Sequence, residues 1–149
     1  LTPLISRLVL MVTFIGSIAL AFIAHPLILL MFGSQYLDSV MPLLILLPGI
    51  VILGAAKVWA NDIAARGRPE INMYISIVIL IVNLIGNVIL IPQFGLIGAA
   101  AATTISYLIC SIVTLFIYCR ITSNNWITTL FVNFNDMRTL TSLLKRNNN

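Results

Sequence analysis

Two long apolar stretches separated by only four residues constrain this chain more than any other feature. The first runs from about residue 71 to 91 and the second from about 96 to 118, with Pro92-Gln93-Phe94-Gly95 between them. An α-helix of 20 or so residues rises about 30 Å, which is the thickness of the hydrocarbon core of a bilayer. The sequence therefore predicts a tight hairpin of two membrane-spanning helices.

Two further apolar stretches precede this hairpin, from about residue 8 to 31 and from about 40 to 65. The second of them contains Pro48-Gly49, which predicts a kink because proline lacks a backbone donor and crowds the preceding turn. Hydrophobic residues make up 60% of the chain and charged residues only 8%, whereas soluble domains have about 25% charged residues. We therefore expect an all-α integral membrane protein with four transmembrane helices in residues 1–120.

The two helices of the predicted hairpin carry complementary small and polar residues. In the third predicted span, the polar side chains fall within about 60° of one another around the helix: Asn72, Ser76, Asn83 and Asn87. In the fourth, small residues recur at four-residue steps: Gly98, Ala102, Ser106 and Cys110. Small residues let two helix backbones approach closely in lipid. The pattern predicts that both stripes face the interior of a helix bundle.

The basic residues of the chain are distributed unequally between the two ends of the predicted spans. The amino-terminal flank, the turn before residue 70 and the carboxyl-terminal tail share one side, and they hold seven Lys or Arg residues: Arg7, Arg66, Arg68, Arg120, Arg138, Lys145 and Arg146. The two loops on the other side hold none. This asymmetry predicts that both termini are cytoplasmic. Because the cations lie at helix ends rather than on one patch, we expect no nucleic-acid partner.

The tail, residues 121–149, has apolar residues at helical spacing: Trp126, Leu130, Phe134, Met137, Leu140 and Leu144. This pattern predicts an amphipathic helix that lies in the interface of the cytoplasmic leaflet. The chain begins Leu1-Thr2-Pro3, with no initiator Met and no signal peptide. We expect it to be the carboxyl-terminal part of a longer protein.

Lys57 is the most informative charged residue, because it lies nine residues before Arg66 and so about 13 Å deeper in the predicted span. Gly54 and Asn61 lie within about 60° of it around the helix. Two interpretations stand side by side. The lysine either extends its long side chain to the headgroups, or lies in a water-filled cavity and attracts an anionic substrate.

The remaining polar residues of the spans have simpler interpretations. Asn83 and Asn87 either line a pathway or form hydrogen bonds between helices, and we favour the second. Asp62 lies four residues before Arg66, which predicts an ion pair at the helix end. The basic turn from Arg66 to Pro69 is able to bind anionic headgroups, but such clusters more often only set topology.

No enzyme motif is present in the sequence. The single histidine, His25, has no carboxylate or cysteine nearby, and the chain contains no Gly-rich phosphate loop, metal-ligand cluster or nucleophile motif. Cys110 and Cys119 lie nine residues apart on one predicted helix, about 13 Å, which is too far for a disulfide. We therefore expect no catalytic residue, no metal site and no cofactor.

Several of these segments together resemble a known family. They are Leu47-Pro48-Gly49, then Ala65-Arg66-Gly67-Arg68-Pro69, then Asn83 and Asn87, and finally the run from Ile91 to Tyr107, IPQFGLIGAAAATTISY. In order and spacing they resemble the carboxyl-terminal region of the polysaccharide-biosynthesis flippases. These are the O-antigen and lipid-linked oligosaccharide exporters of the multidrug/oligosaccharidyl-lipid/polysaccharide superfamily. The resemblance covers about residues 1–118.

The resemblance implies a larger two-lobed flippase bundle, of which the four helices form a part. It implies export of lipid-linked oligosaccharide or O-antigen units across the bacterial inner membrane, for lipopolysaccharide or other surface polysaccharide synthesis. The implied partners are membrane lipids, a polyprenyl-pyrophosphate-linked oligosaccharide and the missing amino-terminal part of the same protein. The residues that we expect to bind substrate are Lys57, Asn61, Asn83 and Asn87.

Two alternatives remain at this point. A multidrug/cation antiporter of the same superfamily would use a carboxylate within the membrane, but the first, third and fourth predicted spans contain no Asp or Glu. A truncated membrane protein without transport activity is the other alternative, and it fits the short length of the chain.

Overall fold

The computed structural model describes residues 2–122, and apart from Gly33 and the turn 66–68 this part of the chain is helical. It contains three long apolar helices, α1 (Thr2–Phe32), α2 (Val40–Ala65) and α3 (Pro69–Thr122). A short 3₁₀ helix, Ser34–Ser39, joins α1 to α2. By length and composition, each of the three helices is able to cross a membrane. The amphipathic helix predicted in the tail lies outside the described residues.

The helix α3 reverses its direction at Gly95. This residue has φ 58° and ψ −130°, which are not helical angles, and a positive φ is a conformation that glycine adopts without strain. The amide nitrogen of Asn83 lies 3.3 Å from the hydroxyl of Ser106, whereas in one straight helix these residues would be about 35 Å apart. The first half, 69–94, and the second half, 96–122, therefore form the predicted hairpin.

The helices differ from the predicted segments mainly at their ends. Helix α1 begins at Thr2 rather than near residue 8, because proline is tolerated in a first helical turn, where Pro3 lies. The first half of α3 continues through Pro92, so the break is at Gly95 alone rather than over four residues. The second half extends to Thr122 rather than to about residue 118.

Helix α2 runs without interruption through Pro48, where the sequence predicts a kink. The second half of α3 packs on this point very closely, since a Cβ added at Gly49 would lie 3.2 Å from the Cα of Thr104. The hydroxyl of Thr104 donates a hydrogen bond to the carbonyl oxygen of Ile45, at 2.8 Å. A hydrogen bond from the neighbouring helix thus ties α2 to α3 one turn before the proline.

Helix α2 is the central element, with α1 on one side and the second half of α3 on another. The residues of α3 that face α2 follow steps of four and three: Ala100, Thr104, Tyr107, Ser111, Thr114 and Tyr118. Near the end of α2, Trp59 stacks on Tyr118 with ring centroids 6.4 Å apart. These two aromatic residues form the buried core together with Ala55, Ala56 and Ile63.

The stripe of small residues on the second half of α3 lies largely on the hairpin seam. Gly98 contacts the backbone carbonyl of Leu90, and a Cβ added at Gly86 would lie 3.1 Å from the Cβ of Ala102. Ser106 forms a hydrogen bond with Asn83 across the same seam. Cys110, the last residue of the predicted stripe, does not lie on the hairpin seam but near Lys57 of α2.

Large apolar side chains cover the outside of all three helices. Among them, Phe22 is 82% exposed, Leu30 is 88% exposed and Val88 is 67% exposed. A surface of this kind is stable against lipid or against further protein, but not in water. The exposed surface therefore agrees with the composition in describing a membrane protein.

Candidate functional site

A groove of about 950 Å³ opens between α1 and the second half of α3, with α2 as its floor. Most of its lining is apolar. From α1 and the 3₁₀ helix come Leu20, Leu27, Ile28, Phe32, Tyr36 and Ser39; from α2 come Pro42, Leu43, Leu46 and Ile50; and from α3 come Leu96, Ala99, Ala100, Thr103 and Tyr107. We refer to this region as the groove.

Lys57 lies beyond one end of the groove, on the face of α2 that forms its floor. It follows Ile50 by seven residues, which is two helical turns or about 10 Å along the same face. On the facing helix, Cys110 follows Thr103 by the same interval, and it lies close enough to Lys57 to interact with it electrostatically. Lys57 is exposed. An exposed cation therefore lies on the same helix as the floor of the groove, beyond its apolar lining.

Asn61 lies one turn beyond Lys57 and is also exposed. The sequence predicts that Gly54 shares a face of α2 with Lys57 and Asn61, but its role differs from theirs. A Cβ added there would lie 3.2 Å from Cγ2 of Thr13, so Gly54 permits close packing of α1. Gly54 therefore packs against α1, whereas Lys57 and Asn61 remain exposed.

Asn83 and Asn87 lie inside the α3 hairpin rather than in the groove. The amide of Asn87 donates to the side-chain oxygen of Asn83 at 2.9 Å. The amide of Asn83 in turn reaches Ser106 at 3.3 Å and Thr103 at 3.5 Å. This network joins the two halves of α3, which is the interhelical bonding that we favoured from the sequence. The structure therefore leaves Lys57 and Asn61 exposed one turn apart on α2, and it places Asn83 and Asn87 within the hairpin of α3.

Thr103 and Tyr107 line the groove and were not among the residues predicted to bind substrate. Thr103 also contacts Asn83, so it links the hairpin network to the wall of the groove. Their four-residue spacing on an otherwise small and apolar helix is the signal that could have identified them. That signal is weak, because the spacing alone does not say which face of the helix borders an open space.

The ion pair predicted at the end of α2 is confirmed. Nε of Arg66 lies 3.2 Å from a carboxylate oxygen of Asp62. An exposed pair of this kind at a helix end contributes only about 0.3–0.5 kcal/mol, so it orients the arginine more than it stabilises the fold. Cys110 and Cys119 are not joined in a disulfide, as their spacing predicts.

Three partial matches connect the chain to other proteins. It is 33% identical over 100 residues to the capsular polysaccharide biosynthesis protein CapF of Staphylococcus aureus, covering 67% of this chain and 25% of that protein. It is 34% identical over 93 residues to an uncharacterized membrane protein of Methanocaldococcus jannaschii, covering 62% of this chain and 18% of that protein. It is 31% identical over 78 residues to the probable low-salt glycan biosynthesis flippase Agl15 of Haloferax volcanii, covering 52% of this chain and 16% of that protein.

The matched segments thus span a quarter or less of the length of these curated relatives. No family model matches the chain, and no solved structure matches it. Two of these proteins are named for the synthesis of polysaccharide or glycan, and the third is named as a membrane protein. The matches therefore support a family of membrane proteins of polysaccharide biosynthesis.

Proposed function

We propose that this chain is the carboxyl-terminal part of a flippase that moves lipid-linked oligosaccharide across the cytoplasmic membrane for surface polysaccharide synthesis. The observation that carries the proposal is the position of the Lys57 cation on α2, beyond one end of an apolar groove. Such a groove suits an amphiphile with a negatively charged headgroup, and a polyprenyl-pyrophosphate-linked oligosaccharide is of this class. The names of the relatives from Staphylococcus aureus and Haloferax volcanii support the same assignment.

In this proposal the described helices form four membrane spans. The two halves of α3 have 26 and 27 residues, each enough to cross a hydrocarbon core of about 30 Å. The remainder of a longer flippase would supply the second lobe, which faces the groove and covers the exposed side of α1. Both termini of the chain would lie in the cytoplasm.

The proposed mechanism involves no covalent chemistry. Lys57 attracts the pyrophosphate electrostatically, as a cation within a membrane span is expected to do. Asn61 offers a neighbouring amide that is able to donate hydrogen bonds to the same oxygens. The apolar wall accommodates hydrocarbon next to the headgroup. Transport then follows from the two lobes exposing this site alternately to each side of the membrane.

The antiporter alternative receives no support from the carboxylates in the described residues. Asp38 belongs to the 3₁₀ helix and Glu70 to the first turn of α3, so both lie at helix ends. Asp62 lies near the end of α2 and is paired with Arg66. None of the three is placed within the middle of a span, where a carboxylate that couples transport to a cation is expected.

The test uses the full-length protein in cells that lack their own flippase, with surface polysaccharide as the readout. We expect Lys57→Ala to reduce export severalfold at unchanged protein level, because removing a cation from a span does not impair insertion. Lys57→Arg should retain more activity than Lys57→Ala, since it keeps the charge. Ser76→Ala is the matched control, because Ser76 is exposed and its hydroxyl donates only to the backbone of its own helix, at 2.8 Å.

Full export by Lys57→Ala, at a protein level equal to that of Ser76→Ala, would contradict the assigned role. Lys57 would then be a residue that extends to the headgroups. Loss of export with accumulation of the lipid-linked oligosaccharide on the cytoplasmic side would support the proposal. If Lys57→Ala and Ser76→Ala lose export to the same extent, the cause is a general defect of the protein rather than the loss of the Lys57 charge.

A further inference from the structure

Three arginines surround a second cavity, at the end of the molecule opposite Gly95. Arg66 and Arg68 belong to the turn between α2 and α3, and Arg120 lies in the last turn of α3. The cavity has a volume of about 570 Å³, and the rest of its lining is apolar: Ile71, Phe116, Ile117 and Ile121. It therefore combines three cations with a hydrocarbon wall, and no described carboxylate lines it.

The backbone that carries Arg66 and Arg68 is fixed by its own hydrogen bonds. The amide of Arg68 donates to the carbonyl of Ile63 at 3.3 Å, and the amide of Gly67 donates to the carbonyl of Ala64 at 3.0 Å. Together with φ 80° at Gly67, this is the Schellman pattern that ends a helix. The turn thus holds both arginines in place before any ligand is bound.

Two side-chain contacts fix the walls of the same cavity. The amide of Asn72 donates to the carbonyl of Ala60 at 2.7 Å, which holds the start of α3 against α2. Ile71, Ile117 and Ile121 also pack against the core formed around Trp59 and Tyr118. The apolar wall is therefore the outer surface of a buried core rather than a set of loose side chains.

An exposed apolar stripe on the second half of α3 leads into this cavity. Ile105, Ile112 and Phe116 are 48%, 66% and 66% exposed, and their steps of seven and four residues place them on one face of the helix. Phe116 itself lines the cavity, and Arg120 follows it by one turn. Ile112 lies nine residues from Thr103, hence about 180° around the helix from the groove.

We propose that this cavity binds the phosphate group of an anionic phospholipid, whose acyl chain lies along the apolar stripe. Arginine is suited to this ligand, because its planar guanidinium donates two parallel hydrogen bonds to phosphate oxygens. Arg66 is oriented by Asp62, while Arg68 and Arg120 are exposed. The assignment is independent of the transported substrate, because the stripe and the groove lie on opposite sides of the second half of α3.

The experiment is native mass spectrometry of the purified protein in detergent, titrated with phosphatidylglycerol or with phosphatidylcholine of the same acyl chains. We expect the protein to retain phosphatidylglycerol preferentially. Arg120→Gln should weaken that binding about tenfold, as expected for the loss of one charge-assisted contact of about 1.4 kcal/mol. Ser76→Ala changes an exposed residue that does not line the cavity and should leave the affinity unchanged. Arg68→Gln is a second variant at the cavity, on a separate element.

Equal affinity of Arg120→Gln, Arg68→Gln and Ser76→Ala for phosphatidylglycerol would overturn the proposal. Equal retention of the two phospholipids by the unmodified protein would overturn it as well, because binding would then not depend on net negative charge. Inorganic phosphate, added in the same molar excess, should fail to displace the phospholipid. If inorganic phosphate displaces the phospholipid, the cavity is a site for free anions that does not involve the apolar stripe, and the proposal is wrong.

Discussion

Gly98 lies where the second half of α3 first packs on the backbone of the first half. A Cβ added at this position would lie 2.6 Å from the carbonyl carbon of Leu90. Because the obstacle is backbone rather than a flexible side chain, no change of rotamer relieves the contact. The absence of a single methyl group therefore determines how closely the two halves approach.

We expect Gly98→Ala to lower the free energy of unfolding by about 1–3 kcal/mol, the usual effect of overpacking. Denaturant-induced unfolding in detergent micelles measures this change. Gly16→Ala is the matched control, because Gly16 lies within α1 and a Cβ there would meet nothing within 4 Å. Alanine at that position should be neutral or stabilising by up to about 1 kcal/mol. Equal stability of the two variants would contradict the close approach at Leu90.

Single residues also show where reasoning from the sequence ends. The chemistry of Asn83 was predictable, because an amide in an apolar span needs a hydrogen-bond partner. Its partner, Ser106, was predictable only as a member of the small-residue stripe and not as a specific contact. The same holds for Lys57. Its depth in the span and its position around the helix follow from residue spacing, but its proximity to Cys110 depends on how two helices distant in the sequence pack together.

At the scale of the elements, hydropathy and length predicted most of what the structure shows. Helix α2 occupies residues 40–65 in both, and the hairpin follows from two apolar segments with a short connection. The position of the break was less predictable. Proline has a φ angle compatible with a helix, so Pro92 stays within it, and the positive φ at Gly95 turns the chain. Likewise, Pro48 predicts a kink, but the helix packed against it is not visible in the local sequence.

The hairpin makes a prediction about cross-linking between its halves. Cysteines introduced as Gly86→Cys and Ala102→Cys, in a Cys110→Ser and Cys119→Ser background, should form a disulfide on mild oxidation. A Cβ at residue 86 would lie 3.1 Å from that of residue 102, so a small separation of the two halves brings the pair into the range of about 3.5–4.5 Å found in disulfides. Mass spectrometry of alkylated protein counts the thiols that remain free.

The control pair for this experiment is Gly86→Cys with Ala101→Cys, which moves one thiol about 100° around the second half of α3. We expect that pair to stay reduced under the same conditions. If α3 were one continuous helix, residues 86 and 102 would be about 24 Å apart. Neither pair would then cross-link, and the reversal at Gly95 would be wrong.

At the scale of the whole molecule, three of the described arginines lie together at one end. Leu96 lies with Phe32 and Tyr36 at one end of the groove, so the turn at Gly95 and the 3₁₀ helix share a side. Arg66, Arg68 and Arg120 lie together at the opposite end. The three-dimensional arrangement thus gathers cations that are more than 50 residues apart in the sequence. This is the arrangement that the positive-inside rule associates with a cytoplasmic side.

This separation leads to a prediction of topology for the four proposed spans. Single cysteines introduced as Gln35→Cys, Glu70→Cys and Gln93→Cys, in the cysteine-free background, are treated in intact cells with a membrane-impermeant thiol reagent. All three positions are exposed, and none of the changes removes a positive charge. We expect labelling of Gln35→Cys and Gln93→Cys from outside, and labelling of Glu70→Cys only after permeabilisation. If Glu70→Cys alone is labelled from outside, the orientation is the reverse of the predicted one. If Gln35→Cys is labelled but Gln93→Cys is protected, the two halves of α3 do not each cross the membrane.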